Sequence, residues 1–296
     1  MNWTAIGFGI AAAVCWGVAP VLSKRGFTTG GTPAVAAFIF VCIGTVGLWS
    51  LSLVLYAPAR IAATLTPAAV VPFAVGGVAG TGIGRLLNYY GVERLGASVN
   101  SAVVATDPVF AALLGLLALG ESLTVAQFGG VLLVAGGLAV TVLSGGGNRR
   151  GWPFRALVIP IGAAVAYGSG AVIRRFGLET TATTPIQAAA INETAALFVI
   201  GGYLYYTIDR PAAATIGLDS YLYLVAAGLV NTVGLVTLFA SLQAGPVVIG
   251  STLAGTSTLV TLAIAAIVLR QVEAVTYLTV VGGLVTVAGG LLVITG

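Results

Sequence analysis

Mostly apolar runs, each about the 20 residues that a helix needs to cross a bilayer, follow one another along the whole chain. Gly, Pro and polar turns divide them. They predict ten membrane-spanning helices, at about 3–23, 33–56, 67–90, 97–119, 123–143, 156–173, 184–206, 221–242, 246–269 and 274–294. "SGGGNRRGWPFR" (Ser144 to Arg155) is the one polar linker of any length. It separates a first five-helix unit over 1–144 from a second over 156–296, with the linker itself at 145–155. The expected fold is an all-α integral membrane protein.

The two units repeat one another. "AVCWGVAPVLSKRGF" (Ala13 to Phe27) aligns with "AVAYGSGAVIRRFGL" (Ala164 to Leu178). Trp16-Gly17 thus corresponds to Tyr167-Gly168, and Lys24-Arg25 to Arg174-Arg175, the latter one place earlier. Glu121, Gly130 and Gly137 have the spacing of Glu273, Gly282 and Gly289. Matches at both ends of the units argue for an internal repeat. Five spans per unit is an odd number, so the second unit lies inverted relative to the first. Many secondary transporters build two alternating gates around one central site from such inverted repeats. A duplicated helical scaffold is the alternative.

Composition narrows the class. Charged residues are 7% of the chain and hydrophobic residues 58%, with a mean hydropathy of +1.09. A soluble domain carries roughly 25% charged residues, so the bulk of this surface faces lipid. The net charge of +4 is scattered through short loops, which excludes nucleic acid as a partner. The chain has no histidine, and Cys15 and Cys42 sit inside apolar runs, so no metal site, disulfide or cofactor is expected. The first segment lacks a positive n-region and reads as a retained helix. No GxxxxGK[ST] loop is present to bind ATP, and neither HExxH nor G-x-S-x-G appears. An intramembrane enzyme would have to run on Asp107, Glu193 or Ser/Thr alone. A channel would need a ring of carbonyls or charges.

The stretch "GVERLGASVNSAVVATDPVFAALLGLLALGESLTVAQFGGVLLVAGG" (Gly91 to Gly137) resembles the EamA type of the drug/metabolite transporter superfamily. The resemblance rests on the "LGAS" helix–turn, the mid-helix Pro108, the "LGE" turn and the glycine-rich fifth helix. "CWGVAPVLSKRG" is similar to that family's first helix. The second unit departs from the pattern: Ser257 or a neighbour stands for Pro108, and "LRQVE" for "LGE". The resemblance implies ten helices around a central cavity that opens alternately to each side. It implies export or import of small organic molecules. The mostly apolar spans with scattered amides, aromatics and one arginine suggest a moderately apolar or amphipathic solute, an amino acid, drug-like molecule or related metabolite, moved by a multi-pass plasma-membrane protein that is a monomer or homodimer.

Ionisable groups deep in a bilayer are costly, from about 3 kcal/mol at a helix centre, and face a cavity or a partner. Three fall inside the predicted spans: Arg85, Asp107 and Glu193. Arg85 lies roughly 8 Å from the end of its helix and Asp107 roughly 15 Å into the next. Arg85 therefore either snorkels to headgroups or pairs with Asp107 and faces the cavity. Asp107 and Glu193 are the candidate proton carriers. The candidate solute-binding residues are Trp16, Arg85, Asn88, Tyr89, Tyr167, Asn192, Asn231 and Thr232, polar or aromatic groups within the predicted spans, with Trp16 and Tyr167 at mid-span. Gly76, Gly80 and Gly84 form a flat ridge before Arg85, and the Gly130–Gly137 and Gly282–Gly289 pairs mark a close seam within the bundle or between protomers. Glu121 and Glu273, at turns, read as helix caps.

With an even number of spans, both termini share one side. Arg60, Arg174 and Arg175 fall on that side; Lys24, Arg25, Arg94, Arg149, Arg150, Arg155, Arg210 and Arg270 fall on the other. The positive-inside rule places the termini outside and the linker in the cytoplasm, whereas the family resemblance implies cytoplasmic termini.

Overall fold

The structure, a computed structural model, describes residues 2–28, 32–95, 100, 103–144, 154–207, 216–268 and 277–296. The linker over 145–153 and Glu273, Arg149, Arg150, Arg210 and Arg270 lie outside the described residues. Every regular element among those described is a helix.

The first unit contains α1 (Trp3–Thr28), α2 (Pro33–Leu55), a short α3 (Pro58–Thr64) and α4 (Pro67–Gly76). α4 passes through a π-helical stretch, Gly77–Gly84, into α5 (Arg85–Leu95). α6 (Asp107–Leu119) and α7 (Val125–Ser144) follow. The second unit has α8 (Val158–Thr180), α9 (Pro185–Thr207), α10 (Leu218–Ala244), α11 (Val247–Gly255), α12 (Ser257–Val268) and α13 (Tyr277–Thr295). Local chemistry sets several ends. Pro33 and Pro67 occupy first-turn positions where a missing N–H does no harm. Thr32 and Thr66 cap those turns by accepting from the Val35 and Ala69 amides, each at 3.3 Å. Gly120 ends α6 at φ +65, the left-handed geometry that glycine adopts without a Cβ clash.

Among the described residues, five stretches are long and apolar enough to cross a membrane: Trp3–Phe27, Pro33–Leu55, Pro67–Gly91, Arg155–Thr180 and Leu218–Ala244. Shorter apolar helices accompany them. α9 is long enough but falls outside that group, because it carries Gln187, Asn192 and Glu193, all buried inside the bundle.

The packing exchanges the two units. α1 lies along α10, just as α8 lies along the α4–α5 rod; α6 packs on α8 as α11 and α12 pack on α1. α2 pairs with α9, and α7 with α13. The α7–α13 pair is the glycine seam, and it lies within the chain, not between protomers. A Cβ on Gly130 would stand 2.6 Å from the Gly289 carbonyl oxygen, and one on Gly137 2.6 Å from that of Gly282. Gly137→Val is therefore expected to cost about 2–3 kcal/mol through overpacking, read as a lower unfolding temperature in detergent; an unchanged temperature would contradict the close seam.

Two helices are interrupted at matching points. Before α6, the Thr106 amide bonds to the Val103 carbonyl (3.1 Å), as does its hydroxyl (2.7 Å), and the Thr106 carbonyl accepts from Val109 (3.0 Å). Between α11 and α12, Thr256 repeats this with Leu253 (3.0 and 2.6 Å) and Leu259 (2.9 Å). Thr258 stands two residues after Thr256, where Pro108 stands after Thr106. A threonine whose own side chain takes up the freed carbonyl thus makes the break without a proline.

Candidate central cavity

The α4–α5 rod is shaped by what lies against it. A Cβ on Gly80 would come 2.5 Å from Arg174 Nη2, and one on Gly84 3.0 Å from the Tyr167 ring. Gly77 abuts the Asn192 carbonyl. Glycine alone allows α8 and α9 this close, and the π-helical winding, which spreads the helical turn, ends immediately before Arg85. Arg85 consequently lines an internal cavity of about 420 Å³.

Seven of the sequence-predicted residues meet on its wall: Trp16, Arg85, Asn88, Tyr89, Asp107, Tyr167 and Asn231. Trp16 is fixed by its indole N–H, which donates to the Asn231 carbonyl at 3.2 Å. Asn88 accepts from the Asn100 amide. The aromatic-glycine pairs now have a shared reason. Gly168 lets α8 reach the α6 backbone, with a Cβ position 2.8 Å from the Ala111 amide and 3.0 Å from the Asp107 carbonyl. Gly17 lets α1 approach the Ser257 carbonyl within 2.9 Å in the same way. The neighbouring aromatics, Tyr167 and Trp16, turn into the cavity.

Three predicted residues do not reach the wall. The Thr232 hydroxyl donates at 2.9 Å to the Gly228 carbonyl of its own helix and is buried there. Asn192 is fully buried behind Arg174. Glu193, 1% exposed, sits against Gly44 of α2 with no hydrogen bond to either carboxylate oxygen.

The expected Arg85–Asp107 ion pair does not form. Both side chains line the cavity, yet no ion pair joins them; Arg175 is an arginine that does pair, with Glu121 and Glu179. Arg85 Nη1 is buried and bonds to nothing among the described residues.

Arg174 is the largest correction. Counted from the sequence as a loop charge, it is 5% exposed within α8. Its Nε donates to Asn192 Oδ1 (2.8 Å), and its Nη2 donates to the Gly76 carbonyl and Thr81 Oγ1 (3.0 Å each). The Asn192 amide donates to Thr81 at 2.9 Å, and the Phe239 ring lies 5.6 Å below the guanidinium. Removing Arg174 from the loops makes the termini side poorer still in positive charge. The missed signal was its distance from the end of α8, six residues before Thr180, about the same depth as Arg85. Arg174 itself reaches the cavity wall, and Ser251, Ser257 and Thr258 join it unpredicted.

The termini end of the bundle is closed by a polar network. Glu121 caps a helix, but not its own: its carboxylate accepts from the Val247 amide of α11 at 2.9 and 3.1 Å. Arg175 lies 3.9 Å from Glu121, pairs with Glu179, and donates to the Leu242 and Gln243 carbonyls at the end of α10. Burial pushes the Glu121 carboxyl up, against the opposing pull of the Val247 amide and Arg175.

Residues 3–143 match the EamA-like transporter family. Over those residues the chain belongs to the EamA type of the drug/metabolite transporter superfamily. Members of that family are membrane transporters, so the protein is a multi-pass membrane transporter whose partners are a small molecule and the lipid around it. The EamA-type chain also superposes on a crystal structure of a protein with 15% sequence identity and a TM-score of 0.79, covering 98% of both chains. At that identity the likeness concerns the fold. No curated protein matches the sequence.

Proposed function

We propose that this EamA-type protein is a secondary transporter of the plasma membrane that carries a small amphipathic solute through the central cavity by alternating access. The observation that carries this reading is the presence of Arg85 and Asp107 on one cavity wall without a bond to each other. A guanidinium and a carboxylate left open side by side match a zwitterion, whose anionic end takes the Arg85 fork and whose ammonium takes Asp107. Trp16, Tyr89 and Tyr167 offer faces for an apolar body, and Asn88 and Asn231 add polar contacts. The exchange of packing partners between the units and the paired breaks at Thr106 and Thr256 support two inverted five-helix repeats, with the breaks as hinge points. The Glu121–Arg175 network supplies a seal at one end of the bundle.

The test is flux in proteoliposomes. L-Leucine and L-phenylalanine are expected to show saturable, protein-dependent uptake, and phenylacetamide and phenethylamine, each lacking the carboxylate, at least tenfold less. Equal flux of the amine would remove the zwitterion; no flux of any of the four would remove the transport reading of this cavity.

A further inference from the structure

Glu193 is a carboxylate that the cavity itself does not use. It lies eight residues into α9, 1% exposed, and neither of its oxygens has a hydrogen-bond partner among the described residues. The site is built around it: a Cβ on Gly44 would stand 2.8 Å from Glu193 Cγ and 2.9 Å from Oε2, so α2 is notched where the carboxylate lies. An unpaired buried carboxylate is expensive, and binding a proton or a cation relieves it.

The groups that face it narrow the choice. α2 contributes the glycine notch, with the Cys42 thiol as its one ionisable side chain. α10 carries nothing ionisable between Tyr223 and its end. α8 contributes Arg174, bonded to Asn192 next to Glu193, and α5 contributes Arg85 together with Tyr89, which packs on Ala37 and Val41 of α2 and Ala196 and Ile200 of α9, the two helices that enclose Glu193. Arg174 is committed to Asn192, Thr81 and the Gly76 carbonyl. Arg85 is not: its Nη1 is buried and unbonded, and no ion pair joins it to Glu193 here. A carboxylate and a guanidinium nitrogen are thus both desolvated and both unused, with Arg85 also on the cavity wall. Asp107 differs in lying on that wall itself, open to whatever fills the cavity.

We propose that Glu193 is the proton-binding site of this transporter and that Arg85 switches between Glu193 and the anionic end of the solute. Ionised, Glu193 draws Arg85 to itself; protonated, it leaves Arg85 unpaired on the cavity wall, the arrangement seen in this structure. A solute carboxylate draws Arg85 away, and Glu193 takes up one proton from water in its place, becoming a neutral carboxylic acid. Charge inside the bundle is conserved: the solute anion replaces the carboxylate that the proton neutralises. Solute and proton then travel in the same direction. This mechanism rests on the reading of the cavity as a solute site; the proton site itself does not.

The two parts are tested separately. In purified protein without solute, an acid-minus-alkaline infrared difference spectrum is expected to show the carbonyl band of a buried carboxylic acid. Glu193→Gln should lose that band, Glu193→Asp should keep it at a shifted position, and Asp107→Asn should keep it unshifted. A band that survives Glu193→Gln, or vanishes with Asp107→Asn, overturns the proposal whatever the solute. The switch is read by adding L-phenylalanine to weakly buffered protein. Wild type should take up one proton per phenylalanine bound, and its apparent affinity should weaken about tenfold per pH unit above the Glu193 titration. Glu193→Gln should still bind, by thermal shift, with no proton uptake and a flat pH profile. Proton uptake retained in Glu193→Gln overturns the switch. Failure of phenylalanine to bind either protein counts against the solute reading and leaves the infrared result to decide the proton site.

Discussion

Arg85→Ala brings solute flux in proteoliposomes down to the level of empty liposomes, while the protein still inserts and melts within a few degrees of wild type. Both halves of this expectation follow from the bonding of the side chain. Its guanidinium faces the cavity, and one of its nitrogens has no partner among the described residues, so removing it breaks little that holds the bundle together. A hydrogen bond to a charged group is worth about 1.5–3 kcal/mol, and two from one fork to a carboxylate would lower affinity by about a hundredfold or more. Arg85→Lys keeps the charge and loses the fork; it should recover part of the flux at higher solute concentration. Wild-type flux from Arg85→Ala would leave Arg85 as a bystander on the cavity wall.

Arg174→Met is expected to behave the opposite way, although the residue type is the same. Its side chain satisfies Asn192, Thr81 and the Gly76 carbonyl at once, and these tie α8, α9 and the π-helical rod together. Removing the cation leaves three buried polar groups short of a partner, at about 1–3 kcal/mol each. The variant should lose about 3 kcal/mol or more, seen as a large drop in unfolding temperature, and lose flux as a consequence. Asn192→Ala, which removes one partner of several, should cost about 1–2 kcal/mol. A stable, inactive Arg174→Met would instead mark Arg174 as a second solute ligand.

These two arginines also show how far the sequence could be read. Arg85 stood out because it interrupts an apolar run. Arg174 did not, because it precedes Arg175 near a helix end and so resembled an ordinary loop charge. Its role depends on Gly76 and Thr81, more than ninety residues away in sequence, as the separations of 98 and 93 in its hydrogen bonds show. The same distance hid the function of Glu121. Its turn position indicated a cap, but the helix it caps begins 126 residues later, at Val247. The Arg85–Asp107 pair failed for a related reason. Depth along two helices sets how far apart two side chains lie along the bilayer normal, and says nothing about their rotation around the helix axes. The π-helical glycine stretch alters that rotation just before Arg85.

By itself, the sequence determined the membrane class, the all-helical character and the set of polar residues carried within the apolar runs. Those follow from hydropathy, run length and spacing, which are local quantities, and a bilayer allows few ways to satisfy an apolar backbone other than a helix. Only the tertiary structure decided which polar groups share a cavity, which lock helices together, and which are left without a partner. Asn192 and Asn88 look alike in sequence, yet one is consumed by Arg174 and the other faces the cavity. Rotation of each helix about its axis, set by glycine contacts between distant segments, made that division.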